Sequence, residues 1–154
     1  MHIPNPPLRR KVGEKTQVFD PIRSRYVVET PEEHVRQSVI IFLVHELGYP
    51  AGCMQVEVEL SAGASHLRRI DLAVMTPAGE TWLLVECKRP ETPLAADTLA
   101  QVWRYALHRS PHYVAVTNGK QLAVFPFAAA TPLSAGDAPP TTLMDTFPPY
   151  PTVS

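Results

Sequence analysis

The sequence predicts a three-layer α/β domain, a mixed central sheet flanked by two helices, and three observations predict it. Residues 30 to 50 carry a full set of helix start and stop signals. Three strand patterns follow in close succession between residues 54 and 88. A second helical pattern and a hairpin signal complete the run, so the order is helix, three strands, helix, two strands.

The first helix is expected over 31 to 47. Thr30 is its N-cap, Pro31 takes the first helical position and Glu33 sits where a capping box needs it. Val35, Val39, Leu43 and Leu47 recur every fourth residue, and Gly48 with Pro50 supplies the stop. Glu32 and Arg36 lie beside that stripe. A short strand, Tyr26-Val27-Val28, precedes it.

Met54, Val56, Val58 and Leu60 alternate with polar residues, the period of a strand with one buried face. A loop with Ser61, Gly63 and Ser65 leads to a second strand over 69 to 75, and Pro77 with Gly79 turns the chain into a third over 81 to 88. These three make an antiparallel meander. The second helix is expected over 94 to 108, with Leu99, Val102, Trp103 and Leu107 on its apolar side. Strands over 112 to 117 and 121 to 127 follow, joined at Asn118-Gly119 by a two-residue hairpin turn. The expected organisation is an N-terminal arm over 1 to 25, extended or loosely packed, a folded domain over 26 to 127, and a Pro-rich tail over 128 to 154.

A chain of 154 residues with 45% hydrophobic and 19% charged residues fits one globular domain. Its two cysteines, Cys53 and Cys87, give neither a disulfide framework nor zinc spacing. Nothing resembles a signal peptide or a membrane span, so a cytoplasmic setting without membrane association is expected. The formal charge of −1 offers no global case for nucleic-acid binding, and any such case must come from a local site. The histidines are dispersed and read as surface or packing residues; Trp82 and Trp103 read as core.

The chemistry sits in the strands. Asp71 interrupts an apolar strand, and Glu86 and Lys88 end another that is apolar through Leu83-Leu84-Val85. Buried charge is costly unless paired or bound to metal. Strand alternation puts Glu86 and Lys88 on one face and Cys87 on the other, and the tight turn brings Asp71 beside Glu86. Two adjacent carboxylates call for a divalent cation, and hard oxygen ligands select magnesium or manganese. The Cys87 backbone carbonyl is a further candidate ligand, and the Lys88 ammonium can orient an attacking water and stabilise charge on a phosphate. The bland alternative leaves Asp71 and Glu86 paired with Arg69 or Lys88 and no metal bound; the Cys87 side chain reads as a small buried hydrophobe.

The segments TPEEHVRQ (30 to 37), LGYP (47 to 50), RRIDLAV (68 to 74), LLVECKRP (83 to 90), QVWRYAL (101 to 107) and VTNG (116 to 119) carry a resemblance. From Tyr26 to about Phe125 the chain resembles the N-terminal nuclease domain of type I restriction enzyme R subunits, within the PD-(D/E)xK superfamily. The resemblance implies a restriction-endonuclease-like fold, magnesium- or manganese-dependent hydrolysis of DNA, metal ligation by Asp71 and Glu86, and a catalytic Lys88. It also implies DNA or positioning roles for Gln101 and Tyr105, and an acidic ligand from the first helix. Glu32 is expected to fill that role because it lies on the apolar, core-facing stripe with Val35, Val39 and Leu43, where an unpaired carboxylate is costly, while Glu33 is occupied as the capping partner of Thr30. Arg36, Arg69 and Arg104 are expected nucleic-acid contacts, within a thin basic patch that includes Arg68, Lys88, Arg89 and Arg109 and that Arg9, Arg10, Lys11 and Lys15 extend if the arm folds over the site. No G-x-x-x-x-G-K-[ST] segment occurs, so no DNA-translocating motor is expected here. A protein partner supplying specificity and a homodimer are compatible with this reading; the rival function is a catalytically idle module of the same fold that binds nucleic acid or protein.

Overall fold

Residues 9 to 28 fold into a three-stranded antiparallel sheet of β1 (Arg9–Val12), β2 (Lys15–Asp20) and β3 (Arg25–Val28). An extended or loosely packed arm is therefore the wrong description of this segment. Every residue of β1 is exposed, which erases the alternation that betrays a strand, and only Val18 and Asp20 of β2 are buried. Gly13, at φ 63°, permits the two-residue turn that pairs Val12 with Lys15. The computed structural model describes residues 2 to 60, 68 to 127 and 145 to 152; the loop at 61 to 67 and the tail from 128 to 144 lie outside the described residues.

Helix α1 (Pro31–Ile41) starts where its signals place it, with the Thr30 hydroxyl accepting from the Glu33 amide at 3.1 Å. Its last expected turn is instead a π-helical segment, Phe42–Glu46, closed by the Leu47 amide on the Phe42 carbonyl, before Gly48 turns out at φ 70°. Strands β4 (Met54–Leu60), β5 (Arg68–Met75), β6 (Thr81–Cys87), β7 (Tyr113–Thr117) and β8 (Leu122–Pro126) form a second sheet in that order. All neighbours are antiparallel except β6 and β7, whose parallel pairing is bridged by α2 (Ala96–Ala106). The sheet is mixed, as expected. The β7–β8 link spans 118 to 121 rather than two residues, because the Asn118 side chain accepts from both the Lys120 and Gln121 amides and also donates to the Thr92 carbonyl.

Apolar burial divides between the two helices. Val35, Val39, Ile40 and Leu43 cluster with Leu72, Val74, Leu83, Val85, Cys87 and Ala115. Val102, Trp103 and Ala106 cluster with Ile70, Ala73, Leu84, Val114, Val116 and Phe125. Each fully buried side chain of this size contributes roughly 1.5–3 kcal/mol. Among the described residues no helix is long and apolar enough to cross a membrane.

One irregularity in the sheet positions the site. Met54, Val56, Leu72 and Val74 side with α1, whereas Val58 and Ile70, two residues further along the same ladder, side with α2. The change of face falls at Glu57, which has φ 55°, a costly conformation for a residue with a Cβ. By the β4–β5 register, Asp71 stands across from it. There too the β5–β6 ladder ends, at Leu72 with Val85, while β5 continues beside β4 and β6 continues beside β7. The strands splay, and the gap opens at Asp71 and Glu86.

Candidate active site

Where the ladder stops, side chains replace backbone partners. The Cys87 amide donates to Asp71 Oδ2 at 2.8 Å, a bond that β5 backbone would otherwise accept. Asp71 Oδ1 accepts from the Arg36 guanidinium at 2.9 Å. The Glu86 carboxyl, 9% exposed, lies within hydrogen-bonding reach of Asp71, and both Lys88 and Glu32 are near enough to act on it electrostatically. Burial, then the hydrogen bond and charge of Asp71, push the Glu86 carboxyl up to about 9, with Lys88 opposing. The Lys88 amide is fixed by the Thr117 carbonyl of β7 at 2.8 Å. Strand periodicity expects Asp71, Glu86 and Lys88 together; the structure sets Asp71 beside Glu86 and brings Lys88 close enough to act on Glu86 through its charge.

Behind them runs a network of alternating charge that no sequence pattern announces. Arg23 binds Asp20 at 2.6 Å, Glu33 at 2.6 Å and Glu57 at 3.3 Å. Arg36 binds Glu33 at 3.4 Å, Glu57 at 3.8 Å and Asp71 at 2.9 Å. Asp20 is fully buried and also caps its own turn, accepting from the Ile22 and Arg23 amides. That Asp-Pro turn is the one sequence signal for Asp20; its companions in the network, Glu33 and Glu57, are too distant in sequence for any local pattern.

Two site expectations need correction. Arg36 does not face a nucleic-acid surface: it is 7% exposed and engaged with carboxylates. Glu32 is exposed rather than core-facing, although close enough to Glu86 to act on it through its charge, whereas Glu33 is the inward carboxylate, accepting from Arg23, Arg36 and Gln37. The buried face of α1 extends over Glu33, Arg36, Gln37 and Ile40, so it is wider than the apolar stripe that placed Glu32. Cys87 is a buried core residue, and its thiol is pushed up by burial. Gln101 and Tyr105 lie one turn apart on α2, both half-buried. Arg69 is exposed and 3.6 Å from Glu59; Arg104 is exposed in the last turn of α2.

The chemistry of this centre is set by an excess of carboxylate. Asp20, Glu33, Glu57 and Asp71 share the two guanidinium groups, and Glu86 adds another buried acid. A proton or a cation must offset that charge. Among the described residues no group of three or more His, Cys, Asp or Glu side chains is arranged around one metal position. The adjoining carboxyls of Asp71 and Glu86 nevertheless suit a hard divalent ion, since magnesium is commonly held by one or two carboxylates and keeps several waters.

No curated protein matches the chain. Among solved structures, the type IIG restriction endonuclease BpuSI matches over 66% of this chain at 16% identity and a TM-score of 0.43. The match spans only 11% of the length of that enzyme. The model of the family described as the type I restriction enzyme R protein N terminus matches residues 31 to 132, from the first residue of α1 past the end of β8. Because that match takes in both helices and all five strands of the larger sheet, the chain belongs to the type I restriction enzyme R protein N-terminal family.

Proposed function

We propose that the chain is a divalent-metal-dependent nuclease that hydrolyses DNA phosphodiester bonds, with a three-layer restriction-endonuclease-like core and a PD-(D/E)xK centre. The observation that carries the proposal is the meeting of Asp71 and Glu86 in the gap between β5 and β6, with Lys88 close enough to act on Glu86 through its charge. Family membership supports it. Asp71 and Glu86 would hold magnesium or manganese, with the Cys87 carbonyl and Glu32 as further oxygen donors. A bound divalent ion supplies Lewis acidity and lowers the pKa of a coordinated water.

The protein's own residues do the rest. Arg36 and the Cys87 amide fix both oxygens of Asp71, so that carboxylate is aimed before substrate arrives. Lys88 orients the attacking water and stabilises charge on the phosphoryl oxygens as the bond to the leaving oxygen breaks. Gln101 and Tyr105 on α2, with Arg69 and Arg104, position DNA, and a partner protein or a second copy supplies sequence choice. One observation favours the idle rival: Asp71 already has a full cationic partner in Arg36 at 2.9 Å.

Incubation with single-stranded, duplex and branched DNA plus magnesium or manganese separates the readings. The nuclease reading expects cleavage that EDTA stops and that Lys88→Ala reduces at least about 100-fold, as loss of one charge-stabilising group does elsewhere. No cleavage of any substrate, together with no heat on manganese titration, would leave the idle module standing.

A further inference from the structure

Charge is distributed unevenly along the chain. Residues 9 to 29 hold six of its 14 Lys and Arg but three of its 15 Asp and Glu, a local +3 in a protein of net −1. Two of those three acids are already engaged. Glu29 takes Arg9 at 2.9 Å, and Asp20 takes Arg23. Arg10, Lys11 and Lys15 are exposed and enter no ion pair among the described residues.

Arg10 is held without being neutralised. Its guanidinium lies 4.0 Å from the centroid of the Tyr26 ring, and its Nε donates to Gln17 Oε1 at 2.7 Å. Phe19 packs against the edge of Tyr26, with centroids 5.2 Å apart, and steadies the platform. The two terminal nitrogens of Arg10 are thus presented in a fixed fork, the geometry that binds a phosphate bidentately. Strand pairing places Arg10, Lys15, Gln17, Phe19 and Tyr26 on one face, opposite the face of the buried Val18 and Asp20. Lys11 belongs to the opposite face by register, but β1 is the edge strand and its ammonium is exposed there.

The sheet that carries this face is tied to the candidate site through its opposite, buried side. Arg23, just past β2, joins Glu33 and Glu57, which hold Arg36 against Asp71. At 3.3–3.4 Å per residue, β2 carries Lys15 roughly 17 Å from Asp20, which holds Arg23, a span of several nucleotides along a DNA backbone. A protein partner fits less well: Val12 and Val28 are exposed on the same face, but Arg10 and Lys15 lie among them, and the cores of protein interfaces are depleted of charge and of lysine in particular.

We propose that the outward face of β1–β2–β3, centred on Arg10 and Lys15 and continued by Lys11 at the β1 edge, is a DNA phosphate-binding surface outside the catalytic centre. It rests on the nuclease reading for the identity of its polyanion. The test is the salt dependence of binding to labelled duplex DNA, in EDTA, by the full chain carrying Lys88→Ala. Adding Arg10→Ser, Lys11→Ser and Lys15→Ser is expected to weaken binding at least about 10-fold near physiological salt. The log–log salt slope should fall by about 0.9 for each phosphate that is no longer neutralised. Lys11→Glu with Lys15→Glu, which leaves the Tyr26 stack intact, should act in the same direction, and melting curves confirm folding. Unchanged affinity and slope in both variants would overturn the proposal, as would binding restored only by a protein partner. Cleavage on a background with Lys88 intact distinguishes the two readings. Active enzyme with unaltered KM in the surface variants sinks the surface alone, whereas salt-sensitive binding without cleavage in the parent protein sinks the nuclease reading alone.

Discussion

The two ends of the β5–β6 pair are built from opposite chemistry. At the turn end, Thr76 to Glu80 reverse the chain through Gly79 at φ 85°, the backbone hydrogen bonds that close it are neutral, and the one charged contact there among the described residues, Glu80 with His112 at 3.2 Å, is exposed. There the Trp82 indole donates to the Tyr49 hydroxyl at 3.2 Å, Tyr49 donates to the Pro148 carbonyl at 2.5 Å, and Tyr150 donates to the Met75 carbonyl at 2.9 Å. At the other end the same two strands separate around Asp71 and Glu86, with Asp71 held by a guanidinium and an amide. Neutral hydrogen bonds between well-packed aromatics cost little to bury. Charges in a splayed ladder are costly, and a protein keeps such a structure where a ligand compensates for it.

Removing the cation from the charged end tests this contrast most severely. Arg36→Met preserves much of the apolar stem but leaves Asp71 without its cationic partner and Glu33 with Arg23 alone, so a loss of about 3–5 kcal/mol in unfolding free energy is expected by chemical denaturation. Combining it with Asp71→Asn should recover part of that loss, and a double-mutant cycle measures the coupling. Strict additivity would show that Arg36 stabilises the fold without acting on Asp71.

The next effect is a pH dependence confined to the same end. In metal-free protein the folded-state pKa of Glu86 is about 9, raised by burial and by Asp71, against about 4.3 in an unfolded chain. The folded state therefore binds this proton more tightly. Its contribution to stability is complete below about pH 4.3 and declines as pH rises towards 9. Melting in EDTA at pH 5 and pH 8 should show a steeper decline for the parent than for Glu86→Gln, and manganese should flatten the parent by binding the folded form. Equal slopes for parent and variant would remove Glu86 from the charge excess.

The residues also show why some of this is legible in sequence and some is not. The start of α1 is readable because capping needs only Thr30, Pro31 and Glu33, all close together. The meeting of Asp71 with Glu86 is readable because strand period and a short turn nearly determine register. Glu32 competes with Glu33 because one residue turns a helix by only about 100°, and the apolar stripe alone does not mark the edges of a wider buried face. The small sheet is hidden because β1 is Arg- and Lys-rich and wholly exposed. Arg23 and Glu57 are 34 positions apart, so their ion pair follows from tertiary packing alone.

The smallest expected effect lies at the neutral end, and its value is in what it leaves unchanged. Tyr150 donates to the Met75 carbonyl at 2.9 Å and lies 3.4 Å from Cys53 Sγ. Tyr150→Phe keeps the ring against Tyr49 and removes only the hydroxyl, so a loss of about 0.5–1.5 kcal/mol is expected. Burial and the Cys53 thiol push the Tyr150 phenol up to about 12. A raised phenol contributes fully below its ordinary value of about 10 and loses that contribution only as pH climbs through 12. The difference between parent and variant should accordingly be constant from pH 5 to pH 8, the range over which Glu86→Gln changes most. Cleavage should be unaltered, because this hydroxyl bonds the β5 terminus remote from Asp71. A Tyr150→Phe variant whose cost varied with pH across that range, or whose manganese response differed from the parent, would mean that the ends of the strand pair are energetically joined.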